Sequence, residues 1–352
     1  DVGRASDGHD EVELIARLAD KESVADGKRA NLRAIASQVK VYEDDIRDSA
    51  SVDRVIGETK PDVVLVQGDT SSALVGAMAG YYNDRPVAHI EAGLRTGERE
   101  PFPEEKNREL IGRLAHWHFP PTEQSRDNLL REGVPQQQVH LVGNTVIDTA
   151  LWVREHMNGD AVAALPLPVC RFLAEHGASR LLLVTAHRRE NWGEPIRQIA
   201  AAVGELLQRH PDLVVVWPIH PNPAVRSDVE AVFATLPPDS RARACLTDPL
   251  DYPGLITVLA RCHFTLTDSG GIQEEASALG RPVLIARDST ERQELVQAGG
   301  ARLVGTDRAR IVKEAGRLLD DPVLHRAMQL STSPFGDGHS AERIADILSQ
   351  PA

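Results

Sequence analysis

No apolar run in the 352 residues approaches the twenty or so needed to cross a bilayer, and no charged-then-apolar segment opens the chain. A soluble, cytoplasmic protein with no membrane partner is therefore expected. Cysteine is scarce: Cys170, Cys245 and Cys262 are scattered, odd in number and without metal-ligand spacing, which argues for buried or idle thiols in a reducing compartment. Basic residues are outnumbered, 39 Lys and Arg against 52 Asp and Glu, giving a net charge of −13. That disfavours nucleic acid as a partner, because phosphate backbones demand clustered Lys and Arg. A small anionic ligand stays open if positive groups converge locally. No Gly-x-x-x-x-Gly-Lys-Ser/Thr loop is present and no Gly-x-Gly-x-x-Gly opens either half. P-loop and nicotinamide chemistry are disfavoured, and with no zinc spacing either, neither a cofactor nor a metal is expected.

What is present is an alternation of short apolar runs with helical patterns, in a chain long enough for two domains. Residues 1–60 are the least legible, with helical spacing over Glu11–Ala19 and Lys28–Val39 and no clear first strand. From Pro61 the spacing predicts strands at Val63–Val66, Val87–Ala92, His116–Phe119 and Val139–Val142. Helices are predicted over Ser71–Tyr82, Glu104–Ala115, Glu123–Arg131 and Val146–Met157. Asn158–Pro168, with Gly159, Pro166 and Pro168, reads as a linker. A second series follows, with strands at Leu181–Val184, Leu213–Val216, Ala244–Thr247, Phe264–Thr267 and Val283–Ala286. Strand, helix, strand repeated on both sides of a linker implies an α/β protein with two parallel sheets, each covered by helices on both faces. The carboxyl ends of both sheets should face one cleft.

The most informative stretch runs from Phe264 to Gly280, a buried strand followed by Asp268-Ser269-Gly270-Gly271 and an amphipathic helix. Glycines allow close backbone approach, and the first N–H groups of a helix lack intrahelical partners, so the turn suits a phosphate. Arg281 leads into the next strand, and Arg287–Arg292 is expected to open a further helix at the same end of the sheet, where ligands of open α/β sheets bind.

Other polar groups also fall at predicted strand ends. They are Asp69, Glu91, His187 with Arg188 and Arg189, and His220. Glu91 is costly at the end of a buried strand unless partnered. Glu104 and Glu105 follow Pro103 at a helix start, where the dipole alone favours acids. Carboxylates in one cleft supply what proton transfer at carbon needs, and cations after Thr185 would neutralise a leaving diphosphate. His116, His118 and His140 are read as structural.

Eight ordered motifs carry a resemblance. They are Gln67-Gly-Asp69-Thr, His89-Ile-Glu91-Ala-Gly-Leu-Arg95-Thr-Gly97, Pro103-Glu104-Glu105, Gly143-Asn-Thr, Thr185-Ala-His187-Arg-Arg-Glu190-Asn, His220-Pro-Asn222-Pro, Leu266-Thr-Asp-Ser-Gly-Gly-Ile-Gln-Glu-Glu275-Ala and Arg287-Asp-Ser-Thr-Glu-Arg292. Together they closely resemble the UDP-N-acetylglucosamine 2-epimerases of the non-hydrolysing bacterial type, from about Pro61 to the Pro334–Gly338 tail.

The resemblance implies a GT-B type fold of two Rossmann-like domains facing a central cleft, residues 1–165 with the acid/base carboxylates and 166–333 holding UDP. It implies a C-terminal helix, 334–352, packing back on the first domain, and a homodimer. It assigns Asp69, Glu91, Glu104 and His187 to catalysis, Ser269, Gly270 and Gly271 to the diphosphate, Glu275 to ribose hydroxyls and Arg292 to the nucleotide site. Arg188 and His220 resemble contacts to a second, regulatory UDP-sugar. The reaction implied is reversible C2 epimerisation of UDP-N-acetylglucosamine to UDP-N-acetylmannosamine through a 2-acetamidoglucal, without a redox cofactor or obligatory metal.

The likeness fails at the start. Relatives open with an apolar strand and a Gly-Thr-Arg-Pro-Glu turn, whereas Asp1-Val-Gly-Arg4 has neither, so truncation or divergence is expected. Leu250 and Leu255 stand where relatives often carry Gln and Phe beside uracil, which would relax base selectivity. Three alternatives remain at this stage. A hydrolysing epimerase would release UDP and free N-acetylmannosamine, a GT-B glycosyltransferase would need an acceptor, and a UDP-sugar-binding regulator would not turn over.

Overall fold

The computed structural model describes residues 49–99, 101–156 and 165–350. The helices expected over Glu11–Ala19 and Lys28–Val39, and the question of a first strand, lie outside the described residues. The chain divides into two compact units, one closing at Thr149 and taking back the chain from Phe335, the other running Ala150–Pro334.

In the first unit, α1 (Ser49–Thr59) precedes β1 (Val64–Gln67), α2 (Ser71–Tyr82), β2 (Val87–Ile90), α3 (Glu104–Leu114), β3 (Trp117–Phe119), α4 (Glu123–Arg131) and the start of α5 (Thr145–His156). The three strands form a parallel sheet in the order β1-β2-β3. The Thr70 side chain caps α2 by accepting from Ala73 N at 3.2 Å, and Thr122 caps α4 by accepting from Ser125 N at 3.1 Å. Both are hydroxyls at the N-cap, from which a side-chain oxygen reaches one of the first N–H groups that lack an intrahelical acceptor.

The strand expected at Val139–Val142 is absent as such. Val139 makes an isolated parallel bridge to His118, and His140 N donates to His118 O. A ladder cannot run on past Phe119, because the next two residues, Pro120 and Pro121, have no N–H to give. α15 (Ser340–Leu348) belongs to this unit, where Ile344 packs on Ala88, Ile90, Phe119 and Val142.

The second unit carries α6 (Leu167–Glu175), β4 (Arg180–Thr185), α7 (Glu194–Arg209), β5 (Leu213–Pro218), α8 (Pro223–Ala234), α9 (Pro238–Arg241), β6 (Ala244–Thr247), α10 (Tyr252–Leu259) and β7 (Phe264–Thr267). α11 (Gly270–Ala278), β8 (Val283–Ile285), α12 (Gln293–Gln297), β9 (Ala301–Leu303), α13 (Arg308–Asp320) and α14 (Pro322–Met328) complete it. The described strands are all parallel, in the order β6-β5-β4-β7-β8-β9. Strands covered on both faces need apolar side chains on both, which is why Leu181–Val184 and Leu213–Trp217 are continuous buried runs. α7 lays Ile196, Ile199, Val203, Leu206 and Leu207 on this sheet at helical spacing, each contributing roughly 1.5–3 kcal/mol by burial.

One expectation needs correction here, and one strand went unforeseen. Arg287–Arg292 does not open a helix: α12 begins at Gln293, with Arg292 in the N-cap position. The helix is only five residues long, and the six residues before it form a loop tied by buried ion pairs described below. β9 had not been expected, because three residues, one of them an arginine, leave no apolar run to recognise.

Candidate active site

In the first unit the site grows from the carboxyl ends of β1 and β2. After Gln67 the chain turns at Gly68, whose φ of +66° suits glycine, and delivers Asp69. The buried His89 of β2 braces that turn, with Nε2 2.8 Å from Gly68 O. Two residues on, Glu91 has a φ of +63°, in the left-handed region that costs a side-chain-bearing residue energy and recurs at functional sites. Its Oε2 lies 3.4 Å from where a Cβ on Gly68 would stand, so Glu91 and the Asp69 turn are neighbours.

α3 supplies the rest. The buried guanidinium of Arg108 reaches Asp69 Oδ2 at 2.7 Å and Glu105 Oε2 at 2.9 Å, and Asn107 Nδ2 donates to Asp69 O at 2.8 Å. Glu105 accepts from Thr96 N and Gly97 N, each at 3.0 Å, and so pins the loop before the helix. Glu104, in the same first turn, is half-buried, with its neighbour Glu105 committed to structure. Of the pair at Pro103, Glu105 is thus spent on buried hydrogen bonds, and Glu104 is the more accessible carboxylate.

Burial pushes His89 and His118, register partners on β2 and β3, down to about 4. Both imidazoles are therefore neutral at physiological pH. His118, read from the sequence as structural, is buried in β3. His89, quoted in a motif without a role, emerges as the brace of the Asp69 turn.

In the second unit the strand order reverses between β4 and β7, which are adjacent. Ligands of open α/β sheets bind at such a switch point, outside the carboxyl ends of the two strands. β4 ends in the loop carrying His187 and Arg188, and β7 ends in Asp268 and the Ser269-Gly270-Gly271 turn. Asp268 N donates to Thr185 O at 3.1 Å, stitching the two ends together.

The two glycines have different tasks. A Cβ on Gly270 would meet the Arg292 guanidinium at 2.8 Å, whereas one on Gly271 would stand in open space 4.0 Å from Ser269 Oγ. Gly270 therefore admits a buried arginine and Gly271 leaves the helix N-terminus bare for a ligand. Glu275, one turn into α11, is buried.

Arg292 itself is 7% exposed and bonded to Glu274 Oε1 and Glu291 Oε1 at 2.8 and 2.7 Å. Its guanidinium backs the glycine turn from inside. Arg287 also reaches Glu291, at 2.9 Å, and Arg188 does so at 3.5 Å. Burial would push the Glu291 carboxyl up, but Arg292 and Arg287 more than offset it and hold it far below the usual carboxylate range. For Glu274 the balance falls the other way: burial raises it, and Arg292 only partly opposes.

His220, past the end of β5, accepts from Asn222 N through Nδ1 at 3.1 Å, leaving its proton on Nε2. Burial lowers its affinity for a second proton, and His187 nearby adds to that. Trp192, whose Nε1 donates to His187 O at 3.2 Å, stands 5.7 Å from the His220 ring. His187, Arg188, Asp268, Ser269, Gly270 and Arg292 thus form one connected cluster in this unit, with His220 at its flank.

Asn107, Arg108, Trp192 and Asp268 had no assigned role in the sequence. Asn107 and Arg108 meet Asp69 through the packing of α3, Trp192 meets His187 within one loop, and only Asp268 meets its partners through the register of β4 and β7. Among the described residues, no group of three or more His, Cys, Asp or Glu could hold a metal, and no helix is long and apolar enough to cross a membrane.

Two parallel sheets with helices packed on them, a bare helix start at a switch point and carboxylates at strand ends define an α/β protein with a site suited to a phosphate-bearing ligand. A sequence model of the UDP-N-acetylglucosamine 2-epimerase family matches residues 48–349, and the chain belongs to that family. It is 45% identical over 296 residues to UDP-N-acetylglucosamine 2-epimerase of Escherichia coli K12, covering 84% of this chain and 77% of that one. With the Bacillus subtilis 168 protein of the same name the identity is 42% over 298 residues, 84% and 74% of the two chains. The crystal structure of the Neisseria meningitidis UDP-GlcNAc 2-epimerase bound to UDP-GlcNAc superposes with a TM-score of 0.80 at 32% identity, covering 96% of this chain and 95% of that one.

Proposed function

We propose that this chain is an isomerase that interconverts UDP-N-acetylglucosamine and UDP-N-acetylmannosamine. The observation that carries the reading is the bare helix start at Gly271 beside His187 at the β4/β7 switch point, in a chain of this family. The diphosphate takes the Ser269 hydroxyl, the N–H groups of Gly270 and Gly271 and the His187 imidazole, with Arg292 backing the turn; the Ser269 N–H is already given to Thr267 Oγ1 at 3.0 Å. Glu275 holds the ribose.

The chemistry assigned to the first unit is proton transfer at C2. A carboxylate among Asp69, Glu91 and Glu104 removes the C2 proton, the C2–H electrons form the C1=C2 bond, and the C1–O bond breaks with its electrons leaving on UDP. The resulting 2-acetamidoglucal stays bound. UDP oxygen then adds back to C1 while a second carboxylate protonates C2 from the opposite face. The C2 proton is weakly acidic, so stabilising the departing diphosphate is what makes elimination feasible. No step calls for a metal or redox cofactor.

Glu91 is favoured as one of the transferring groups by its strained backbone, and Asp69 by being held through Arg108, Asn107 and the Gly68 turn. A second, regulatory UDP-sugar at Arg188 and His220 and a homodimer belong to the same reading on the family resemblance. The scattered thiols accord with a reducing cytoplasm.

Incubation with UDP-N-acetylglucosamine in deuterium oxide, followed by proton NMR, tests the assignment. Deuterium at C2 and UDP-N-acetylmannosamine without free sugar are expected. Accumulating free N-acetylmannosamine would mean the hydrolysing reaction, and no C2 exchange at high enzyme concentration would mean a binding protein.

A further inference from the structure

Asp268 has no place in the reaction as assigned, yet its residue is 0% exposed. A carboxylate shut away from water must find N–H partners to keep its charge. Asp268 finds them on a single loop. Its Oδ2 accepts from His187 N at 3.0 Å, Arg188 N at 3.0 Å and Asn191 Nδ2 at 2.8 Å, and its Oδ1 lies 3.1 Å from His187 N. Its main-chain oxygen takes Nε of Arg188 at 3.1 Å.

The imidazole of His187 faces the same group, with Nδ1 3.7 Å from Oδ1. That is beyond hydrogen-bond range but within a small ring rotation of it. The sheet dictates the meeting. Asp268 is the first residue after β7, His187 the second after β4, and those strands are neighbours.

We propose that Asp268 is the positioning residue of His187, clamping its loop and taking the Nδ1–H of the ring so that, with the diphosphate bound, the Nε2–H is held as well and donates to it. This rests on the assignment of His187 to the diphosphate made above. A carboxylate that only tied β4 to β7 would not hold hydrogen on both nitrogens of a ring 47% exposed at its side chain, nor alter turnover of bound substrate.

The test uses the full chain with Asp268→Asn and His187→Gln, singly and combined. Asp268→Asn keeps the bulk but replaces one acceptor by a donor facing the loop N–H groups. UDP affinity by calorimetry is expected to stay within a few-fold and kcat to fall about 100-fold, the loss typical of a misaligned group rather than a lost binding contact. Added to His187→Gln, it should cost nothing further in kcat. Unchanged kcat in Asp268→Asn, or an additive loss in the double variant, overturns the proposal.

Should Asp268→Asn fail to fold, long-range proton–nitrogen correlations of the unaltered protein decide, with the His187 ring assigned by its disappearance in His187→Gln. With UDP bound, a ring carrying hydrogen on both nitrogens is expected; a neutral Nε2–H ring, with Nδ1 bare toward Asp268, refutes the clamp. Full activity in His187→Gln would instead remove the His187 assignment itself, whereas an inactive His187→Gln beside a fully active Asp268→Asn would remove this proposal alone.

Discussion

Glu91 is held at φ +63° although it carries a side chain, a conformation that disfavours L-residues by about 1–2 kcal/mol. Nothing in a sequence displays backbone strain, so its position after a buried strand was the only legible sign. The strain makes stability and activity separable. Replacing Glu91 by glycine relieves the torsion while adding freedom to the unfolded chain, so urea unfolding should show a net gain of up to about 1 kcal/mol. The same variant should lose at least about 100-fold in C2 exchange, the lower end of what a positioned proton-transfer group contributes. A large loss of stability would mean that the carboxylate holds the turn together, and retained exchange would remove Glu91 from the chemistry. Arg108 and Asp268 make the companion point. An arginine on a helix and an aspartate in a turn have many ordinary readings, and only the packing of α3 in one case and the register of β4 and β7 in the other set them against Asp69 and His187.

At the scale of elements, the meeting of α5 and α15 carries a titration of its own. Asp148, in the first turn of α5, accepts from Ala341 N at the start of α15 at 3.3 Å, and burial pushes its carboxyl from 3.8 up to about 6. A group whose folded value is raised stabilises the fold below its unfolded value, and that contribution is lost as pH rises through the folded one. At pH 7.5 ionised Asp148 should therefore weaken the fold by roughly 3 kcal/mol relative to its protonated form. Asp148→Asn is expected to be more stable than the parent by up to that amount at pH 7.5, with the difference shrinking toward zero near pH 4. Denaturant midpoints at the two pH values check this, and a pH-independent difference would show that Asp148 is not the titrating group.

The elements that sequence patterning located well were the long ones with uniform environments. Leu181–Val184 and Leu213–Val216 are apolar on both faces because helices cover both, and α2 and α4 begin at hydroxyl caps. Illegible were features decided by a neighbour. Val139–Val142 has strand composition but meets prolines across the gap, and the loop 287–292 looks helical but spends its charges on buried pairs with Glu291.

For the whole molecule, the net charge of −13 makes a diphosphate an unlikely guest on average, so affinity has to come from local structure: the bare N-terminus of α11 and the guanidinium behind it. Those groups all lie in the second unit, which has its own sheet and its own core. UDP without the sugar should therefore stabilise that unit selectively. At a concentration 100 times its dissociation constant it adds about 2.7 kcal/mol to whatever cooperative unit binds it. Hydrogen exchange followed by mass spectrometry should then show slowed amides over residues 185–191 and 268–275, with little change at Gly68–Glu91. Protection confined to Gly68–Glu91, with none at the glycine turn, would place the nucleotide in the other unit and undo the assignment of Ser269, Gly270 and Gly271 to the diphosphate.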